Sequence, residues 1–158
     1  MVSTELLRRY PFFRELTSAQ LSAVAAVADE IAYEPGALLF EQNTPASKLC
    51  LLLAGSVDLF VMNEGQSTHQ RELVVGEIFP GEAFGLSAVV EPHEYRAAAR
   101  VSARSRVLTL QAKKLQALFV SDPQLKCQLT QRVAETAMER LYSTQVQLAA
   151  GDIESPEP

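Results

Sequence analysis

Residues 33–110 hold six of the seven glycines and four of the eight prolines in a chain of 158 residues. Between these breakers lie only short apolar runs, at 37–40, 49–53, 57–62, 72–75, 97–103 and 107–110. Short strands at close spacing, separated by turn signals, predict an all-β sandwich or roll for this zone. Glu34-Pro35-Gly36 puts proline and glycine where a tight turn uses them, and Asn63-Glu64-Gly65 predicts a hairpin tip. No internal repeat is visible.

Helical zones flank this segment. In 1–32, Thr17 followed by Gln20 forms a capping box in which each side chain satisfies the other's free amide. Leu21, Val24, Ala28 and Ile31 then recur at helical spacing, so a helix over 17–32 is expected to cover the sheet. In 111–150, Ser121-Asp122-Pro123 starts a long helix, with Asp capping free amides and Pro at a position that loses no hydrogen bond. Ala134, Ala137, Leu141, Thr144 and Leu148 recur along it in a 4-3 pattern, and Val133 and Met138 widen the stripe. The stripe suits either a helix lying on its own sheet or pairing with a twin helix. The length and narrow seam favour a homodimer. The tail 151–158, with three acids and two prolines, reads as disordered. Residues 1–150 thus form one domain.

Composition excludes several functions. Lys and Arg number 14 against 19 Asp and Glu, a net charge of −5, which argues against a general phosphate-backbone binder. Cys50 and Cys127 make no disulfide framework, and His69 and His93 stand alone, so a reducing, cytoplasmic setting without a metal or other cofactor is expected. No run approaches the ~20 apolar residues that cross a bilayer, and no membrane contact is expected. Gly85-Leu86-Ser87-Ala88-Val89 matches only the first half of a nucleophile elbow, and Asp29-Glu30 and Lys113-Lys114 read as solvated pairs. The chain is not expected to be an enzyme.

The least typical segment is 79–99: Phe79-Pro80-Gly81-Glu82-Ala83-Phe84-Gly85-Leu86-Ser87-Ala88-Val89-Val90, a loop through Pro92, then Tyr95-Arg96-Ala97-Ala98-Ala99. A glycine before a short helical turn lets backbone amides converge on an anion. With the order of elements around it, this segment resembles the phosphate-binding cassette of the cyclic nucleotide-binding domain, as in the sensor half of catabolite activator-type (Crp-Fnr) proteins. The resemblance implies an α+β, mainly β fold: a β-roll, also described as a double-stranded β-helix or jelly roll, with N-terminal helices and a long C-terminal helix. The family's cassette reads Gly-Asp/Glu-x-Phe-Gly-Glu-Leu-Ala, then Arg-Ser/Ala-Ala-Thr. Its Glu binds the ribose 2′-hydroxyl and its Arg pairs with the cyclic phosphate. Here the Glu position is Leu86, and gapless alignment through Ala97 places Tyr95 at the Arg position, with Arg96 one residue on. The ligand-binding candidates the resemblance implies are Phe84, Gly85, Leu86, Ser87, Ala88, Tyr95, Arg96, Ala97 and Ala98.

Alternation along the last strand groups Ala97, Ala99, Val101, Ala103 and Val107 on an inner face and Arg96, Arg100, Arg104 and Arg106 on an outer, cationic one. A bulge at the strand start would re-aim Arg96. Three functions follow as expectations. The first is a non-catalytic regulatory sensor with a degenerate cassette, binding a non-standard nucleotide-like ligand or none and acting through dimer or protein-partner contacts. Ligand occupancy would then shift 85–90 and the hinge at 111–122. The second is a genuine cAMP or cGMP receptor using Arg96 and the amides of 85–88. The third, for a fragment of a longer protein, is a Crp-Fnr-type transcription regulator. The eight residues of 151–158 make no DNA-binding unit, so the chain as given is not expected to bind promoter DNA. Six acids and one base lie in 64–94, and six bases and no acid in 96–114. The acidic cassette disfavours a cyclic phosphate, and the arginine-bearing strand is a candidate partner-docking face.

Overall fold

The computed structural model describes residues 2–63 and 71–154. Helix α1 (Thr4–Arg8) is capped by Ser3, whose side chain accepts from the Leu6 amide. A 3-10 turn at Pro11–Phe13 follows, and then α2 (Ser18–Val27). Both hydrogen bonds of the Thr17/Gln20 capping box form, at 2.9 and 3.1 Å.

The helix expected over 17–32 ends at Val27, and Ala28–Tyr33 is instead strand β1. Ala28 turns to φ −92°, ψ 144°, and β1 pairs antiparallel with β6 (Ala98–Gln111) from Ala28↔Leu110 to Tyr33↔Ser105. Val24, Ala28 and Ile31 suit a helical stripe, but the ladder that β6 offers satisfies the backbone of 28–33 at a distance no local pattern reveals. Ile31 is left partly exposed.

Strands β2 (Leu38–Phe40), β3 (Lys48–Asn63), β4 (Arg71–Ile78) and β5 (Ala83–Phe84) complete a six-stranded antiparallel sheet. Its main path runs β1-β6-β3-β4, with β2 on β6 and β5 on β3. The turn at Glu34-Pro35-Gly36 forms, with the Ala37 amide on the Glu34 carbonyl and Gly36 at φ 92°. The tip expected at Asn63-Glu64-Gly65 extends into 64–70, outside the described residues. Runs 49–53 and 57–62 join into the single strand β3, and 97–103 and 107–110 into β6. Gly55 makes the first join possible. It takes φ 104°, and any side chain there would collide with Ser105 where β3 and β6 cross. The register shifts on both sides of this crossing, so the expected alternation fails locally. Ala103 is exposed, and Ser105 is buried, its hydroxyl accepting from the Ser56 amide and donating to the Ala103 carbonyl.

Leu49, Cys50, Leu51, Leu52 and Leu53 are all buried, so this part of β3 is covered on both faces. One cover is helical: Leu7, Phe12, Phe13, Leu21 and Val24, joined by Leu115 and Phe119 of α3 (Ala112–Ser121). Helix α4 (Pro123–Glu154) adds Leu125, Leu129 and Val133 at four-residue spacing. Its first turn is capped by Asp122, which accepts from the Leu125 amide at 3.1 Å. Asp122 also accepts from the buried Gln20 side chain, so α2 and the start of α4 share one joint. Beyond Val133, the residues Ala134, Ala137, Leu141, Thr144 and Leu148 are all exposed. Gly151 does not end the helix as expected; α4 continues to Glu154, and 155–158 lie outside the described residues. No helix is long and apolar enough to cross a membrane among the described residues.

Candidate functional site

The segment 79–99 is tied to the sheet before it reaches any cavity. Gly81 donates its amide to the Leu52 carbonyl at 2.7 Å, and the Leu52 amide donates to Glu82 at 3.0 Å. The Glu82 carboxylate folds back to accept from the Phe79 amide. These bonds align β5, where Ala83 and Phe84 pair with Leu51 and Cys50. Gly85 then takes the left-handed conformation, φ 69° and ψ 34°, and opens a 3-10 turn over Leu86–Ala88. A methyl group at Gly85 would stand 2.9 Å from the Lys48 carbonyl and 3.4 Å from the Phe40 ring. Glycine is needed here for both backbone angle and space.

The return segment lies against 43–46. The Tyr95 amide and carbonyl bond to Thr44 and Asn43, and the Ala46 amide donates to His93. Tyr95 points into the core. Its ring stacks on Phe40 at 3.8 Å, with 10° between planes. Its hydroxyl accepts from the Lys48 amide at 3.0 Å and donates to the Lys48 carbonyl at 2.7 Å. Burial pushes the Tyr95 phenol up to about 12 and the neighbouring Cys50 thiol up to about 12 as well, so both stay neutral at ordinary pH.

Of the residues singled out from the sequence, Phe84, Gly85 and Tyr95 come together around Phe40, and Ala88 is buried in the same core. Leu86 is half-buried and packs on that core, and Ser87 is half-buried beside it. Arg96 is exposed, Ala97 half-buried and Ala98 buried. The outer arginines of β6 do not form a bare cationic face. Arg100 makes a bidentate pair with Glu72 at 2.7 and 2.9 Å and lies over the Phe60 ring. Arg106 pairs with Glu30 at 2.9 Å, and Arg104 with Glu34 at 3.6 Å. Each acid comes from β1, β4 or the turn after β1, so the expected docking face is largely neutralised across neighbouring strands.

A cleft of about 440 Å³ opens between β4, the entry to the cassette and α4. Leu59, Val75 and Phe79 form an apolar wall, and Thr144 and Gln147 of α4 face it. Arg140 also lines the cleft, and its guanidinium donates to the Ala83 carbonyl. Burial pulls its pKa below the ordinary guanidinium value, against the opposing pull of Glu82 and Glu139. Sequence reasoning overlooked Arg140. Continuing the buried stripe Leu125, Leu129, Val133 by one more helical step through half-buried Thr136 would have placed it on the roll-facing side.

A profile of the cyclic nucleotide-binding domain family matches residues 30–122. The solved structure of a candidate cyclic nucleotide-binding protein from Geobacter metallireducens GS-15 is 31% identical. It superimposes with a TM-score of 0.78, covering 89% of this chain and 99% of its own. The N-terminal domain of a transcriptional regulator from Streptomyces coelicolor A3(2) is 25% identical, with a TM-score of 0.66 over 90% of this chain and 94% of that one. A candidate potassium channel protein from Rhodopseudomonas palustris is 25% identical over 133 residues, which are 84% of this chain and 31% of the channel. The chain thus spans about a third of that relative. The match over 30–122, the β-roll and the cassette entry at Gly81–Gly85 agree: this chain belongs to the cyclic nucleotide-binding domain family.

Proposed function

We propose that this chain is a non-catalytic regulatory module whose cassette is unsuited to cAMP and cGMP. It responds to a different ligand, or to none, and passes its state outward through contacts of α4. The observation that carries this reading is the pair Leu86 and Tyr95. The position the family gives to a ribose-binding carboxylate holds a leucine packed on the core. Gapless alignment gives the position of the phosphate-binding arginine to a tyrosine already committed to both backbone groups of Lys48. Arg96, one residue further, is exposed. Charge-assisted hydrogen bonds contribute about 1.5–3 kcal/mol each, so losing two of them removes the difference between a micromolar and a millimolar ligand.

The regulatory half of the reading rests on α4 and on the relatives. Met138, Leu141, Tyr142 and Leu148 are exposed on a helix that has already used its first turns on the roll. Such a stripe is suited to a second copy of the helix or to a protein partner. The relatives include a transcriptional regulator and a candidate channel, so domains like this one serve unlike outputs. Polarisation titrations with fluorescent cAMP and cGMP test the proposal. Saturation only in the millimolar range, or none, is expected; micromolar saturation that unlabelled nucleotide competes away overturns it.

A further inference from the structure

The cleft between β4 and α4 is held from within. Arg140 is the one α4 residue past Thr136 that is not exposed among those with described side chains, and it reaches back to the Ala83 carbonyl. Ala83 sits in β5, immediately before the left-handed Gly85 and the 3-10 turn. One hydrogen bond therefore joins the part of the cassette that leads into the candidate ligand segment to the part of α4 that otherwise meets the roll only along the cleft beside β4. Arg140 also stands between two carboxylates, Glu82 at the cassette entry and Glu139 on its own helix, both of which favour its charged form. The upstream half of α4 is anchored independently, by Leu125, Leu129 and Val133 in the core and by Arg132 pairing with Glu15 and Glu135. Arg140 thus makes the one described hydrogen bond from the outer half of α4 to the cassette entry.

We infer that Arg140 is an internal latch, a positioning residue whose guanidinium occupies the cleft, binds the cassette entry at Ala83 and fixes the outer half of α4 against the roll without a ligand. This rests on the reading above, that the cassette is not organised by a cyclic nucleotide. A guanidinium offers only donors, so the competitor that opens the latch is an acceptor-bearing group, such as a carboxylate or carbonyl, placed where the Ala83 oxygen now lies.

Hydrogen exchange on the ligand-free chain tests the latch separately from nucleotide affinity. In Arg140→Ala, amides around 83–85 and 136–147 are expected to exchange roughly 10- to 100-fold faster, the scale of one lost charge-assisted hydrogen bond, while β1, β3 and β6 keep their protection. Added ethylguanidinium, which refills the vacated position, is expected to restore the protection. Unchanged exchange in Arg140→Ala overturns the latch. So does a loss that spreads through β1, β3 and β6, or one that ethylguanidinium does not reverse, since either makes Arg140 a packing residue only. Gln131→Ala, exposed on the same helix and lining neither cleft beside Ala83, is the control expected to leave 83–85 unchanged. Micromolar cAMP binding by the wild-type chain would overturn the proposed function and leave these exchange results intact.

Discussion

Tyr95 shows how one side chain can tie together segments far apart in the sequence. Stacked on Phe40 and bonded twice to Lys48, it joins the return segment to β2 and the start of β3. Removing its hydroxyl takes a partner from both the Lys48 amide and carbonyl in a part-buried place. Tyr95→Phe is therefore expected to lower stability by about 1–3 kcal/mol, read from the urea midpoint at unchanged slope. A cost within error would mean that the two bonds do not hold the cassette. Glycine at 85 belongs to the same cluster, because its left-handed angle and the nearby Lys48 carbonyl leave no room for a side chain. At this scale the sequence was partly readable. Gly85 was marked by its place before a short helical turn, and Leu86 by the absence of a carboxylate. The role of Tyr95 was hidden, because its partner Lys48 lies 47 residues away. Arg140 was hidden for the same reason, its partner being 57 residues away.

Among the elements, those written in local chemistry were the ones the sequence disclosed. Thr17 and Gln20 cap α2 as a reciprocal pair, and Asp122 caps α4, both within three residues of their targets. Asp122 has a second duty that no local pattern shows, since the Gln20 side chain donates to its other oxygen at 3.2 Å. Asp122→Ala removes an N-cap and strands a buried amide. A loss of about 1–3 kcal/mol is expected, from the cap and the unpaired group together, with thermal unfolding as the measurement. A cost below that of an isolated exposed cap would show that the α2–α4 joint carries no load. The boundary between α2 and β1 escaped the sequence because Val24, Ala28 and Ile31 satisfy a helical period while β6 decides the outcome from residues 105–110. The failure of alternation at Ala103 has a similar origin in Gly55, where β3 and β6 cross too closely for regular pleating. The arginines of β6 alternate as expected at 100, 104 and 106, yet their acids come from elements far apart in sequence. Charge counted along the chain therefore misjudged charge presented on the surface.

The whole molecule is a β-roll with one long helix whose outer half borders a cleft beside β4. At a rise of ~1.5 Å per residue, the 32 residues of α4 reach about 48 Å, well beyond the three turns buried against the roll. Exposed Leu141 and Leu148, with Met138 and Tyr142 beside them, form a stripe that water covers unless another chain does. If a second copy covers it, sedimentation equilibrium is expected to give a dimer for the wild-type chain and a monomer for Leu141→Glu, because a buried like-charge pair in a narrow seam is unfavourable. A wild-type monomer at high concentration would assign the stripe to a different partner. The family and the roll were legible from the order of elements and from Gly81-Glu82-x-Phe84-Gly85, since both are sequential patterns. Which side chains surround the cassette depends on contacts among residues 40, 48, 84, 85 and 95, which only the fold supplies. The central claim is that this arrangement does not form a cAMP or cGMP site. Isothermal calorimetry of both nucleotides against the wild-type chain tests it most directly. The account predicts heats of dilution alone through the micromolar range, and a saturable one-to-one isotherm with micromolar Kd would contradict it.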